Sequence, residues 1–226
     1  RSILEGKSQE SLQYNLLDSE TLHSLEIIKQ RLEQQQEGER CAQWVARGQT
    51  EVMSILKILE NDWQQQLLSL LCRLLEARQG VFWQQSEDEN FMEIKACFAP
   101  EMGFDKNMRI EKGQGLAGQV WADGQTQSMD NVPGHYLKVS SGMGASEQIF
   151  MLIVPLKLDE QTFGLFELAS FTSIPAFQVK WLEEMGEQVA VKITRLHHES
   201  ELSHLLEKTR DKINILQEEN ARLQRK

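Results

Sequence analysis

Apolar positions change their rhythm three times along the chain. From Gln178 to Lys226 there is no proline and one glycine, Gly186. Leu182, Met185, Val189, Ile193 and Leu196 recur at helical spacing, and Leu202, Leu206, Ile213, Leu216 and Leu223 extend the series. At 1.5 Å per residue such a helix reaches roughly 70 Å, more than one compact core needs. From Leu206 the steps alternate four and three through Thr209, Ile213, Leu216, Asn220 and Leu223. That is a heptad seam, the repeat that winds two helices together. Asn220 takes an a position, where a polar side chain sets register and strand number at some cost in stability. The pattern predicts a homodimer joined through Leu202, Leu206, Ile213, Leu216, Asn220 and Leu223. It leaves the parallel or antiparallel sense open.

The start of the chain is also helical, but thinner in apolar content. From about Gln9 to Gln36, Leu12, Leu16, Leu22, Leu25, Ile28 and Leu32 form a narrow stripe in a Gln-rich background. A narrow stripe suits a helix–helix seam better than a globular core. Gly38 reads as an interruption. A second helix is expected from about Gln49 to Arg78, with Val52, Ile55, Leu56, Leu59, Trp63, Leu67, Leu70 and Leu74 on a wide apolar face. Gly80 follows as its stop.

The middle turns to period two. Val81-Phe82-Trp83 is β-prone, and the polar run 86–90 reads as a turn. Met92, Ile94, Ala96 and Phe98 then alternate with Glu93, Lys95 and Cys97, as in a half-buried hairpin strand. Short strands are expected at 108–110 and 126–130, with a helix from Leu116 to Ala122 between them. Phe150 to Leu158 is a central strand by its apolar content, and Thr162 to Ser170 returns beside it. Pro175 opens the last helix. Hairpin-linked strands between an incoming and an outgoing helix make an α+β domain with a mainly antiparallel sheet. Three segments follow: helical 1–48, a globular domain 49–197 and a coiled-coil helix 198–226.

Composition narrows the function classes. The net charge of −10 over 226 residues argues against a nucleic-acid surface, which wants clustered Lys and Arg. Cys41, Cys72 and Cys97 are odd in number and contain no C-x-x-C, so neither a disulfide framework nor a zinc site is indicated. A reducing, cytoplasmic setting fits. No apolar run approaches the ~20 residues of a membrane span. The opening Arg1-Ser2-Ile3-Leu4 carries no export signal and reads as the middle of a longer protein. That protein can be a membrane-anchored sensor, with this segment on its cytosolic side.

Four stretches together resemble a GAF domain, the small-molecule sensor module of signalling proteins. They are Arg109-Ile-Glu-Lys-Gly-Gln-Gly-Leu-Ala-Gly-Gln-Val, Met129-Asp-Asn-Val-Pro, Ile153-Val-Pro-Leu and Phe163-Gly-Leu-Phe-Glu-Leu-Ala-Ser. The stretch Tyr136-Leu-Lys-Val-Ser-Ser-Gly-Met-Gly is similar to a bacterial subgroup whose members sit between coiled-coil or membrane-linked segments and an output module. The resemblance covers roughly Val52 to His197. It implies about six antiparallel strands, helices on one face and a ligand pocket under loops on the other. The Asn-Lys-x-x-x-Phe-x-x-x-Glu pattern of cyclic-nucleotide-binding members is absent, as is the chromophore cysteine of phytochromes. The ligand therefore does not carry over.

Each candidate motif has a plainer reading beside it. Gly113-Gln-Gly115-Leu-Ala-Gly118 is literally G-x-G-x-x-G, but a dinucleotide fold needs a buried strand before it and a crossover after it. The glycines are better read as a turn into a helix that sits close on the sheet. The loop from Asn131 to Gln148 collects His135, Tyr136, Lys138, Ser140, Ser141 and several glycines. Such a loop binds a polar or anionic ligand or merely caps the sheet. Under the resemblance the ligand contacts are Tyr136, Ser141, Lys138 and His135, with Cys97 and Met129 lining the pocket. Asp130 anchors a ligand amine or caps the loop. Glu167 interrupts an apolar strand and either faces a ligand or, as the alternation favours, lies on the strand's solvated face. His197, His198 and His204 read as a solvated helix face; adjacent helical residues point about 100° apart and rarely share a metal.

No nucleophile elbow, zinc-protease motif or P-loop is present, so no enzyme, metal or cofactor is expected. Cysteine-based turnover would have to rest on Cys97 alone, and Cys97→Ser would abolish it. The expected function is a sensory module of a bacterial signalling protein that binds an unknown small molecule. A dimeric coiled coil then relays the change to a downstream output domain. The seam slips between Leu196 and Leu202, six residues apart, which marks a junction where the relay is set. The alternative is a spacer that binds nothing and holds two chains together.

Overall fold

The computed structural model describes residues 19–58, 62–87, 89–100, 104–130, 132, 140–141, 144–145 and 150–223. The chain divides into two compact units, 1–47 and 48–226. In the first unit the described residues are helical and belong to α1, Ser19–Leu56. Leu22, Leu25, Ile28 and Leu32 are all exposed there. Gly38 does not interrupt the helix. A single exposed glycine costs about 1 kcal/mol against alanine, which a helix of this length absorbs.

The second unit is built on a six-stranded sheet in the order β3-β2-β1-β8-β7-β4. The strands are β1 Gln79–Gln85, β2 Met92–Phe98, β3 Arg109–Ile110, β4 Gln127–Met129, β7 Phe150–Leu158 and β8 Gln161–Ser170. Every pairing is antiparallel. Two further strands, β5 Ser140–Ser141 and β6 Gly144–Ala145, pair only with each other. The helices are α2 Trp63–Leu74, α3 Gly115–Asp123 and α4 Ala176–Leu223.

The helix expected over Gln49–Arg78 is broken. α1 ends at Leu56 and α2 starts at Trp63. Asn61 and Asp62, weak helix formers, stand at the break. The buried amine of Lys192 on α4 holds it open by donating to the carbonyls of Leu56 at 2.8 Å and Ile58 at 2.7 Å. The same amine lies 4.9 Å from the centre of the Trp63 ring.

α2 packs on β1 and β2, and α4 on β7 and β8. Phe82 and Phe166 are fully buried on this helical side of the sheet. Their rings lie 4.9 Å apart, and the Trp63 ring meets Phe82 edge-on at 5.8 Å. Such pairs add about 0.5–1.5 kcal/mol beyond the area they bury. Gly80 gives the closest approach of sheet to helix. A methyl group there would stand 2.8 Å from the Cys72 sulfur and 3.1 Å from Leu68 and Leu168. Burial pushes the Cys72 thiol up to about 12, so it behaves as an inert apolar filler.

The opposite face carries its own apolar cluster. Trp83, Met92, Met151, Ile153, Leu165 and Ala169 meet Ala117, Val120 and Trp121 of α3, with Val132 beside them. The glycine motif delivers α3 to this face. Gly113 and Gly115 hold φ of +84° and +63°, which side chains other than glycine seldom adopt. Gly118 packs so closely on the incoming chain that a methyl group would lie 2.5 Å from the backbone oxygen of Glu111. The N–H of Gly113 donates to the carbonyl of Gly118 at 2.8 Å, closing the turn. α3 then carries the chain from β3 at one edge to β4 at the other, and the two strands run antiparallel, so no parallel βαβ unit forms and the glycines act as a structural turn.

Candidate ligand site

Sheet register places the candidate residues. On the face away from α2 and α4, one row of cross-strand neighbours runs Cys97, Val81, Glu167, Ile153 and Gln127. The adjacent row holds Gln79, Ala169, Met151 and Met129. On the other side lie Ile94, Trp83, Leu165 and Pro155. Facing side chains in paired strands point the same way, so these residues share one surface. The chain between β4 and β7, residues 130–149, connects strands at this edge of the sheet.

Glu167 departs from the fully solvated position that the alternation favours. Alternation puts it on the loop-side face, with Leu165 and Ala169 before and after it. Glu167 is half-buried on that face. Both faces of β8 are covered, one by α4 and one by the apolar cluster. The indole N–H of Trp83 donates to Glu167 Oε2 at 2.9 Å. Burial pushes the carboxyl above its ordinary value, and the Trp83 bond only partly offsets this.

A second correction concerns β2. Its alternation predicts Ile94, Ala96 and Phe98 on one face, but the register shifts against β1 between Phe82 and Trp83. Ile94 therefore stands opposite Trp83, whereas Ala96 stands opposite Phe82 on the helical side. The bulge turns Cys97 to the row that contains Glu167. Where β2 has no neighbour beyond it, Gln65 of α2 takes the strand's place. Its amide donates to the Cys97 carbonyl at 3.0 Å and accepts from the Cys97 N–H at 3.4 Å.

The structure thus brings Cys97 and Met129 onto the same face, in adjacent rows, with Glu167 and Gln127. Asp130 lies at the end of β4 and is exposed. Ser141 lies in the β5–β6 ladder, and its side chain is outside the described residues. His135, Tyr136 and Lys138 also fall outside them. Among the described residues no group of three or more His, Cys, Asp or Glu is placed to hold a metal ion.

A family model for the GAF domain matches residues 60–194. The chain belongs to the GAF family. Its six-stranded antiparallel sheet is that of the GAF fold, with α2 and α4 on one face and, against the expectation of helices on one face only, α3 on the other. Solved GAF structures agree at low identity. The nlh2 GAF domain of A. aeolicus in an inactive state superposes with a TM-score of 0.55 at 15% identity, covering 68% of this chain and 98% of that one. The GAF domain of a phosphoenolpyruvate-protein phosphotransferase from Coxiella burnetii gives 0.57 at 13%, covering 71% and 96%. The free methionine-R-sulfoxide reductase from Neisseria meningitidis, in complex with its substrate, gives 0.53 at 16%, covering 69% and 90%. No curated protein matches the chain.

Elsewhere on this GAF domain an open groove of about 1630 Å³ runs past Gln84, Trp121, Lys157, Phe163, Lys192 and His197. Its walls mix Glu87, Glu93, Glu160 and Glu201 with Lys95, Lys112 and Lys157. A wide, solvent-open groove of mixed charge has no focus for a small ligand. His197 pairs with Glu201 at 3.7 Å on exposed helix, and Arg195 with Glu199 at 2.8 Å. Exposed pairs of this kind contribute at most about 1 kcal/mol. Among the described residues no helix is long and apolar enough to cross a membrane.

Proposed function

We propose that this GAF domain is a sensory module of a signalling protein. A small molecule binds on the sheet face that carries Glu167, and α4 relays the change to a dimeric seam and on to an output domain. The observation that carries the proposal is the continuity of α4. One helix of 48 residues starts against β7 and β8, where Trp181, Leu182, Met185 and Val189 are buried. It continues beyond the sheet with Leu202, Leu206, Ile213 and Leu216 between 49% and 62% exposed. Four large apolar side chains along one seam are expensive to leave in water, and a second copy supplies the matching seam. Asn220 is exposed in the same stretch, as an a-position register residue of that seam would be in a lone chain.

The mechanism needs a two-state element that the ligand biases. β7 and β8 carry Ile153 and Glu167 on the ligand side and Val154 and Phe166 on the helix side. A change in packing on one side is therefore one peptide unit away from the other. Couplings of this kind are typically about 1–3 kcal/mol. A solved GAF domain described in an inactive state, and another that is part of a phosphotransferase, support a regulatory role for the fold. Unpaired Cys41, Cys72 and Cys97 support a cytoplasmic setting.

The test is a metabolite screen by thermal shift on the 226-residue chain, followed by hydrogen exchange. A stabilising compound should change exchange in α4 beyond Leu196. Stabilisation without any change there would remove the relay. No stabilising compound would leave the chain as a dimerising spacer.

A further inference from the structure

We infer that Glu167 makes this face a site for a small ligand carrying a cationic group, an ammonium first of all. The inference rests on the reading of that face as the ligand site. It starts from the cost of the carboxylate. The neighbours of Glu167 across the sheet are Val81 and Ile153, and along the strand on the same face Leu165 and Ala169. A leucine or methionine would pack there with no desolvation penalty. The Trp83 N–H does not account for the charge either. One indole donor satisfies one of about four acceptor positions on a carboxylate, and an amide would serve it as well. Among the described residues no Lys or Arg is paired with Glu167.

Among the described residues the half-buried carboxylate has no charge partner, and a ligand cation supplies one. The polar residue at the β4 end of the row, Gln127, is two strands away across Ile153. At 4.7–4.9 Å per strand the span is roughly 10 Å. A ligand whose ammonium meets Glu167 and whose other end reaches Gln127 has the size of a free amino acid or a short diamine. Between the two, Ile153 is buried in the apolar cluster, and half-buried Met129 borders the path in the next row.

The experiment is calorimetric titration of the full 226-residue chain. One panel holds the free L-amino acids and linear diamines, and a matched panel holds their N-acetylated counterparts. At least one free amine should bind, with its acetylated counterpart at least tenfold weaker. Glu167→Gln should weaken the amine at least tenfold, about 1.4 kcal/mol, while Glu167→Asp keeps the preference for the amine. Acetylated probes binding as well as amines, or unchanged affinity in Glu167→Gln, would overturn the assignment while leaving the face as a ligand site. Silence from both panels would overturn the amine assignment, while the reading of the face as a ligand site stands or falls with the metabolite screen.

Discussion

Gly80 and Glu167 sit on neighbouring strands and report on opposite faces of the sheet. Adding a methyl at Gly80 drives it into the Cys72 sulfur at 2.8 Å. Overpacking of this kind costs about 1–3 kcal/mol. Gly80→Ala should lower stability in urea denaturation by that amount, and Cys72→Ala in the same chain should restore part of it. Phe82→Ala, deeper on the same face, should cost about 3–5 kcal/mol. Glu167 acts through charge. Its folded-state pKa lies above the unfolded value, so its contribution is present at low pH and is lost as the pH rises through the folded value. Glu167→Gln stays neutral and should therefore gain on the parent chain as the pH climbs from about 4 to 8. A gain of about 1 kcal/mol would appear as a rise of about 2–4 °C in melting temperature. A flat difference across that range would contradict the buried charge. The packing of Gly80 was not legible in the sequence, which showed only a helix stop. Glu167 was misread because alternation along β8 reveals two faces but not which one is wet.

At the scale of elements, Lys192 is the clearest case of one segment shaping another. Its amine donates to two carbonyls at the end of α1 and faces the Trp63 ring at the start of α2. Burial first, and then Arg195, push that amine below the ordinary lysine value, while Glu199 pulls it back. Lys192→Met keeps the stem but leaves both carbonyls without this donor. The expected loss is about 1–3 kcal/mol, with faster hydrogen exchange in the last turn of α1 and the first of α2. Unchanged exchange there would mean that the break forms without the lysine. Local spacing could not reveal this break. Leu56, Leu59 and Trp63 keep helical intervals straight through it, and the side chain that opens it lies on another helix. The strands were legible because they depend on near neighbours. β7, β8 and β2 lie within a residue or so of their apolar runs. The exception inside β2 is a bulge, which shifts pairing without changing composition.

In the second unit α4 joins a packed sheet to an exposed helical stretch. Legibility at this scale came from order: the glycine turn, the apolar hairpin of β7 and β8 and the proline-opened helix follow one another as in the GAF fold. The loop contacts at His135, Tyr136, Lys138 and Ser141 belong to the proposed function, and Cys97 and Met129 share a face with Glu167. The break in apolar spacing between Leu196 and Leu202 falls where α4 passes from packed to exposed. The central claim is that this exposed half is one strand of a dimer. Light scattering of the 226-residue chain at micromolar concentration, beside a Leu206→Glu and Ile213→Glu double variant, tests it most directly. The account predicts twice the 26.1 kDa chain mass for the parent and the single-chain mass for the variant, with the melting of the sheet unchanged. A parent chain of single mass, or a variant that still pairs, would contradict it.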